Sequence, residues 1–270
     1  MFATDYREVL LSLLYPGAQT SLASLRPVVR ELQRLLPLDG WQRQHTLLRI
    51  DAGFGDDANL AWLLPLGYQV LAKGYSGKRA AAYARRIKPS DWQEVQPGQR
   101  WLAWSPRQLA FGRPTRTVVV RWLTPQQRWK HALYVTTLQE LELAEIADLY
   151  DERGKAEVEI QADKMGLLLA RRRKRSFAAQ EMLILLNDWA HNLLAWFHAD
   201  ALGQTPFDGF GPKRIIRDLF TIPAEAVVVT EQLVELRLKQ SHPYAQDMAR
   251  CLTKLWQLSH NSHLCQISRN

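Results

Sequence analysis

Apolar positions recur along this chain at two different periods, and the changes of period outline its elements. Residues 6–15, YREVLLSLLY, form an apolar run closed by Pro16 and Gly17. By pattern it is a strand or a short helix. In TSLASLRPVVRELQRLLP, Leu22, Leu25, Val28, Val29, Leu32 and Leu36 follow helical spacing behind a Thr20 or Ser21 cap. Two short apolar runs, TLLRI (46–50) and YQVLA (68–72), have the look of buried strands. Between them ANLAWLLPL reads as a helix that Asp56 or Asp57 caps and Gly67 closes. This strand–helix–strand unit is the building block of an α/β sheet. It places Asp51 at the C-terminal end of a strand, where such sheets carry their functional groups.

The pattern then changes. SGKRAAAYARRIK is basic and helical, but from about 90 to 137 the segments are short and rich in Trp, Val and Thr, with Gly and Pro between them. That composition predicts strands. Arg107, Arg113, Arg116, Arg121 and Arg128 lie among those aromatics, a mixture that suits a nucleic-acid surface or one wet face of a sheet. Helical periodicity resumes at LQELELAEIADLYDERGKAEVEIQADKMGLLLA. RRRKR (171–175) interrupts it, as a grip on DNA or a solvated helix end, and a long apolar helix follows at 176–199. His191 and Asn192 sit on that apolar helix, where His191 reads as a hydrogen-bonded core residue rather than a ligand. The expected organisation is 1–89, partial α/β core; 90–137, β-rich insertion; 138–200, two helices; and 201–270, C-terminal region.

Composition narrows the partner. Hydrophobic residues make up 47% of the chain, enough for a packed core. The net charge of +8 favours an anionic partner, most commonly nucleic acid. Ten Trp can fill a core or stack on bases. Cys251 and Cys265 have no metal-ligand spacing. No apolar run reaches the ~18 residues that would span a membrane. The expected location is the cytoplasm, with the nucleoid.

One helix carries candidate chemistry. At about 100° per residue, Tyr150, Arg153, Glu157, Gln161 and Lys164 share a wedge with Ile146 and Leu143, which should face a core. Asp151, Glu152, Lys155, Glu159 and Asp163 lie opposite, as a wet face. Charged groups on a buried stripe pair with one another or face a charged ligand. A carboxylate flanked by two cations can hold a divalent metal while the cations grip phosphates, which is the chemistry of phosphodiester cleavage. Asp51 is then the natural second ligand beside Glu157.

These residues resemble a known family. Tyr150, Arg153, Glu157 and Lys164 satisfy the Y-(2)-R-(3)-E-(6)-K signature of DDE transposases of the insertion-sequence-four group, and LLRIDAGFGDD is similar to the segment around that family's second catalytic Asp. The resemblance spans about residues 15–230. It implies an RNase H-like α/β fold with a β-rich insertion and a C-terminal helical region. It further implies that Asp51 and Glu157 are catalytic and ligate Mg²⁺ or Mn²⁺ at a two-metal site. Tyr150, Arg153 and Lys164 would contact transposon-end DNA. Trp129 would stack on a flipped base, with Trp101, Trp104 and Trp122 as competitors. The partners implied are double-stranded DNA at transposon ends and target, and a second copy of the chain or a full-length transposase.

One departure from the family sets a further expectation. The family's first Asp stands on a first strand, and only Asp5, Glu8, Glu31 and Asp39 join Asp51 on its N-terminal side. EVLLSLLYPGAQTSLASLRPVVREL matches the family's third strand and following helix. The expected protein is therefore an N-terminally truncated transposase that does not cut DNA alone, or a non-catalytic remnant that binds DNA or an intact transposase.

Overall fold

A computed structural model of the chain describes residues 1–229 and 232–259. Its elements begin with strands β1 (Phe2–Ala3) and β2 (Glu8–Val9) and helices α1 (Ser21–Leu35) and α2 (Gly40–Gln44). Then come β3 (Leu47–Ile50), α3 (Asp57–Leu63), β4 (Gln69–Lys73) and α4 (Gly77–Ala84). Strands β5 (Gln93–Gln96), β6 (Arg100–Trp104), β7 (Arg116–Leu123) and β8 (Trp129–Thr136) precede helices α5 (Leu143–Asp151), α6 (Arg153–Gly166) and α7 (Phe177–Phe197). The remainder is α8 (Pro212–Arg214), β9 (Ala224–Val229), β10 (Gln232–Leu238) and α9 (Ala245–Ser259). Two compact units result: Tyr15–Lys155, and Met1–Leu14 together with the chain from Ala156 onward.

The first unit is built on a six-stranded sheet of order β3-β4-β8-β7-β6-β5. β3 and β4 are parallel, from Leu47 opposite Gln69 to Ile50 opposite Ala72, with α3 as the crossover. β4 then pairs antiparallel with β8, and β5 to β8 form an antiparallel meander. The strands of region 90–137 thus continue the sheet that β3 and β4 begin. Alternation along them feeds two layers. Leu71, Leu102, Val118, Val120, Ala132 and Tyr134 pack with Leu143, Ile146, Ala147 and Tyr150 of α5. On the other face Val119 and Leu133 meet Ala80 and Tyr83 of α4. Asp56 caps α3 by accepting from the Asn59 N–H, Ser76 caps α4, and Gly67 ends its turn at φ 94°. The expected strand–helix–strand unit is present, as is the helix after Thr20, with Leu25, Val29 and Leu32 buried.

Of the expected third strand only Glu8–Val9 is extended as a strand. Residues 10–16 form no strand, and among the described residues β2 pairs only with β1. The backbone of β2 is instead satisfied by a side chain. Val9 N–H donates to Asn192 Oδ1 at 2.8 Å, and Asn192 Nδ2 donates to Val9 O at 2.9 Å. One amide thus occupies both ladder groups that a neighbouring strand would use.

The second unit packs Leu194, Leu202, Phe207, Phe210, Ile215, Leu219 and Met248 into one core. Its terminal hairpin is tied to α6 and α7 by polar contacts. His191 contacts Asp163 Oδ1 through Nδ1 at 2.9 Å and Arg7 O through Nε2 at 2.8 Å. Arg7 pairs with Glu159, and the Ser12 hydroxyl donates to Asp188. His191 is hydrogen-bonded and buried, as its place on an apolar helix predicted, and Asn192 is hydrogen-bonded and half-buried.

Candidate catalytic and nucleic-acid site

Asp51 follows Ile50, the buried last residue of β3. The loop after it is held by close backbone approach. A Cβ on Gly55 would stand 2.0 Å from the Lys73 carbonyl oxygen, so only glycine fits there. Gly55 O also accepts from Tyr75 N–H at 3.0 Å, and the Ser21 hydroxyl donates to Gly53 O at 2.8 Å. Gly55 therefore locks the Asp51 turn against the end of β4, and Gly53 ties it to the start of α1.

Tyr150 reaches this turn from the last helical turn of α5. Its hydroxyl donates to Asp51 Oδ1 at 3.3 Å. Its ring stacks on Tyr134 of β8, with centroids 4.3 Å apart, and is 5% exposed. Burial pushes the Tyr150 hydroxyl well above its usual range, and the charge of Asp51 pushes it further. The proton therefore stays on tyrosine, and Asp51 remains the acceptor. The Arg153 guanidinium lies 5.6 Å from the Tyr150 ring centroid.

Two ion pairs fix the same end of α5. Arg49 of β3 donates to Glu152 at 2.7 Å and to Leu149 O at 3.1 Å. Arg100 of β6 donates to Asp151 Oδ1 at 2.8 Å. Sequence reasoning missed these four residues. The available signal was a cation in each of two otherwise apolar strands, within LLRI and at the head of RWLAW. A charge in such a run needs a partner close by.

The remaining signature residues behave differently. The helix breaks at Glu152, so α5 and α6 are separate helices. An angular wedge drawn through that break does not carry over. Glu157, Gln161 and Lys164 are exposed, whereas Asp163, expected on the wet face, is 5% exposed against His191. Asp51, Tyr150 and Arg153 belong to the first unit, and Glu157 and Lys164 to the second. Among the described residues no three His, Cys, Asp or Glu side chains form a group that could hold a metal ion.

Trp129, at the start of β8, is 47% exposed, whereas Trp101, Trp104 and Trp122 are only half-buried. Its ring stands edge-on to Trp101 at 5.1 Å. Arg121 lies between these rings and Trp92, at 4.9, 5.6 and 4.1 Å from the three centroids. Its Nε is buried and has no hydrogen-bond partner, so the aromatic faces take the place of one. Burial, with the charges of Arg121 and Arg85, holds nearby His131 below the usual imidazole range. The outcome is a stiff basic-aromatic cluster with one ring open to solvent.

A comparison with protein families bears on these residues. The family model for transposase DDE domain group 1 matches residues 1–260. This chain belongs to the DDE transposase domain family. Membership points to a transposase acting on DNA, a family that generally uses divalent metal ions. The mixed α/β architecture, with its mixed sheet and several helices, is compatible with a DDE transposase fold. Among the described residues no helix is long and apolar enough to cross a membrane. No curated protein matches the chain.

Proposed function

We propose that the chain is the catalytic portion of an insertion-sequence transposase of the insertion-sequence-four group, which cuts and rejoins double-stranded DNA with Mg²⁺ or Mn²⁺. The observation that carries this reading is the hydrogen bond from Tyr150 to Asp51. It joins the signature helix to the DAGF turn, two motif segments 99 residues apart in sequence. Asp51 and Glu157 are assigned as metal ligands. Carboxylate oxygens are the donors hard cations take. The contact on Asp51 comes from a neutral hydroxyl, which leaves the carboxylate charge available to a cation.

Bound divalent ions would polarise the scissile phosphate and activate the attacking oxygen. The chain's own residues do the rest. Tyr150 orients the Asp51 carboxylate without giving up its proton. Arg153 and Lys164 hold phosphates, and Trp129 stacks on an unpaired base. The RNase H-like reading supplies a third carboxylate on a further strand, and β3 stands at the end of the sheet with its outer side unpaired among the described residues.

Iron-directed backbone cleavage tests the ligand assignment without requiring activity. Fe²⁺ with ascorbate and peroxide should cut the protein near residues 51 and 157, and Mg²⁺ should compete. Asp51→Asn and Glu157→Gln should each abolish both cuts while far-UV circular dichroism stays unchanged. Cuts elsewhere, or cuts insensitive to both substitutions, refute the assignment.

A further inference from the structure

The aromatic cluster around Arg121 stands on the reverse face of the sheet from Asp51. Side chains alternate across a sheet. On β8, Ala132 and Tyr134 turn toward α5 and Leu133 toward α4. His131 and Trp129 keep step with Leu133. On β7, Arg121 keeps step with Val119, which also faces α4. In register, Arg121 is opposite both His131 and Trp101. Tyr150 meets Asp51 on the α5 face. A ligand held by Arg121 therefore occupies a site separate from the one at Asp51.

What this face lacks is an anion. Three Trp rings clamp the Arg121 guanidinium, yet among the described residues its two terminal nitrogens are neither buried nor hydrogen-bonded. A guanidinium fork held in place and left open matches two oxygens of a phosphate. Arg85, exposed at the end of α4, and the His131 ring likewise have no side-chain partner among the described residues. Glu94, in line with Arg121 across Trp101, is taken by the Gly98 N–H. Burial, then the charges of Arg121 on β7 and Arg85 on α4, hold the imidazole down, and no carboxylate offsets them. Cations gathered without a counter-charge favour an incoming anion.

We propose that Arg121, Arg85 and His131 bind the backbone phosphate of an unpaired nucleic-acid strand on the α4 face, beside the base that stacks on Trp129. The choice of a strand as ligand rests on the reading of Trp129 as a stacking residue. A cationic groove next to an open aromatic ring is how single strands are held, whereas free phosphate has no use for a ring that is 47% exposed. A phosphodiester stays charged at working pH, so its arrival favours the imidazolium and binding takes up a proton.

Histidine NMR titrations on the full chain test this, with His131→Gln identifying the resonance. The probes are an abasic tetranucleotide, which carries phosphodiesters and no bases, the matching thymidine tetranucleotide, and inorganic phosphate. Affinity is read at the His131 signal, so strands held elsewhere do not enter. Either oligonucleotide at saturation should raise the His131 pKa by about 1 unit or more. Arg85→Ala, a change at an exposed position, should weaken both about tenfold with far-UV circular dichroism unchanged. A His131 pKa that neither oligonucleotide moves, or an Arg85→Ala chain that binds both as the natural chain does, overturns the proposal. If inorganic phosphate at the same phosphate concentration moves His131 as far, the strand assignment falls. The stacking reading is judged apart, because Trp129→Ala should weaken only the thymidine strand. Equal affinity of the natural chain for the two strands refutes stacking and supports the phosphate site. An abasic strand that leaves His131 unmoved, while the thymidine strand still needs Trp129, overturns the phosphate site and supports stacking.

Discussion

Tyr150 has two attachments that substitution separates. Tyr150→Phe removes only the hydrogen bond to Asp51, and equilibrium urea unfolding should show a loss of about 1 kcal/mol. Tyr150→Ala also removes the stack on Tyr134 and leaves a cavity beside α5, at about 3–5 kcal/mol. If the two variants lose the same amount, the ring is not part of the core. His191 is the other residue with a sharp expectation. Both ring nitrogens face acceptors, the Asp163 carboxylate and the Arg7 carbonyl, so the hydrogen bonds require the imidazolium. Burial opposes the charge, but Asp163, the Arg7 carbonyl and Glu159 outweigh it and raise the pKa above the usual histidine value. A raised folded pKa gives stability that is complete below the unfolded pKa, about 6.5, and is lost as pH rises through the folded value. Urea midpoints should therefore fall for the natural chain between about pH 6 and pH 9, relative to His191→Gln. Parallel pH profiles for the two would mean that His191 is neutral in the fold. The burial of His191 was legible from its place on an apolar helix. Asp163 as its partner was not, because a carboxylate 28 positions away leaves no periodic mark.

At the level of elements, the loop after β3 is the most constrained feature of the candidate site. Gly55→Ala drives a methyl into the Lys73 carbonyl and should cost about 1–3 kcal/mol. Gly17→Ala, with open space around it, is the control and should be near neutral. Equal losses would show that the loop is not packed on β4. The β3–α3–β4 unit was readable because its apolar runs are short, bounded by Gly and capped by Asp56. Two other features were not. The run at 10–15 has the hydrophobicity of a strand, but Asn192 occupies the neighbouring hydrogen-bonding positions on β2, and that is a long-range fact. The break at Glu152 comes where Arg49 and Arg100 grip the end of α5. Local propensity holds no record of partners from β3 and β6, so the wedge drawn from Tyr150 to Lys164 failed beyond the break.

For the whole molecule, a charge of +8 predicts DNA binding that weakens steeply with salt. Arg153→Ala and Lys164→Ala should each lower the slope of log K against log salt by about 1. Trp129→Ala should leave the slope intact and cost about 1–3 kcal/mol on single-stranded or mismatched DNA. Fluorescence anisotropy across a salt series separates the two effects, and an unchanged slope in both charge variants would remove them from the interface. The sheet order also governs how the first unit assembles. The turns of the β5–β8 meander join neighbours in sequence, whereas β4 meets β8 through pairs such as Lys73 with Tyr134, which bracket the whole meander. Closing that long loop costs chain entropy before any contact rewards it. The meander should therefore form first, with β4, β3 and the Asp51 turn docking last. In stopped-flow folding, Val119→Ala on β7 should slow refolding, and Val70→Ala on β4 should mainly speed unfolding. The carboxylate at the centre of the proposed chemistry would then be among the last groups to be positioned when the chain is made, and among the first released when it begins to open.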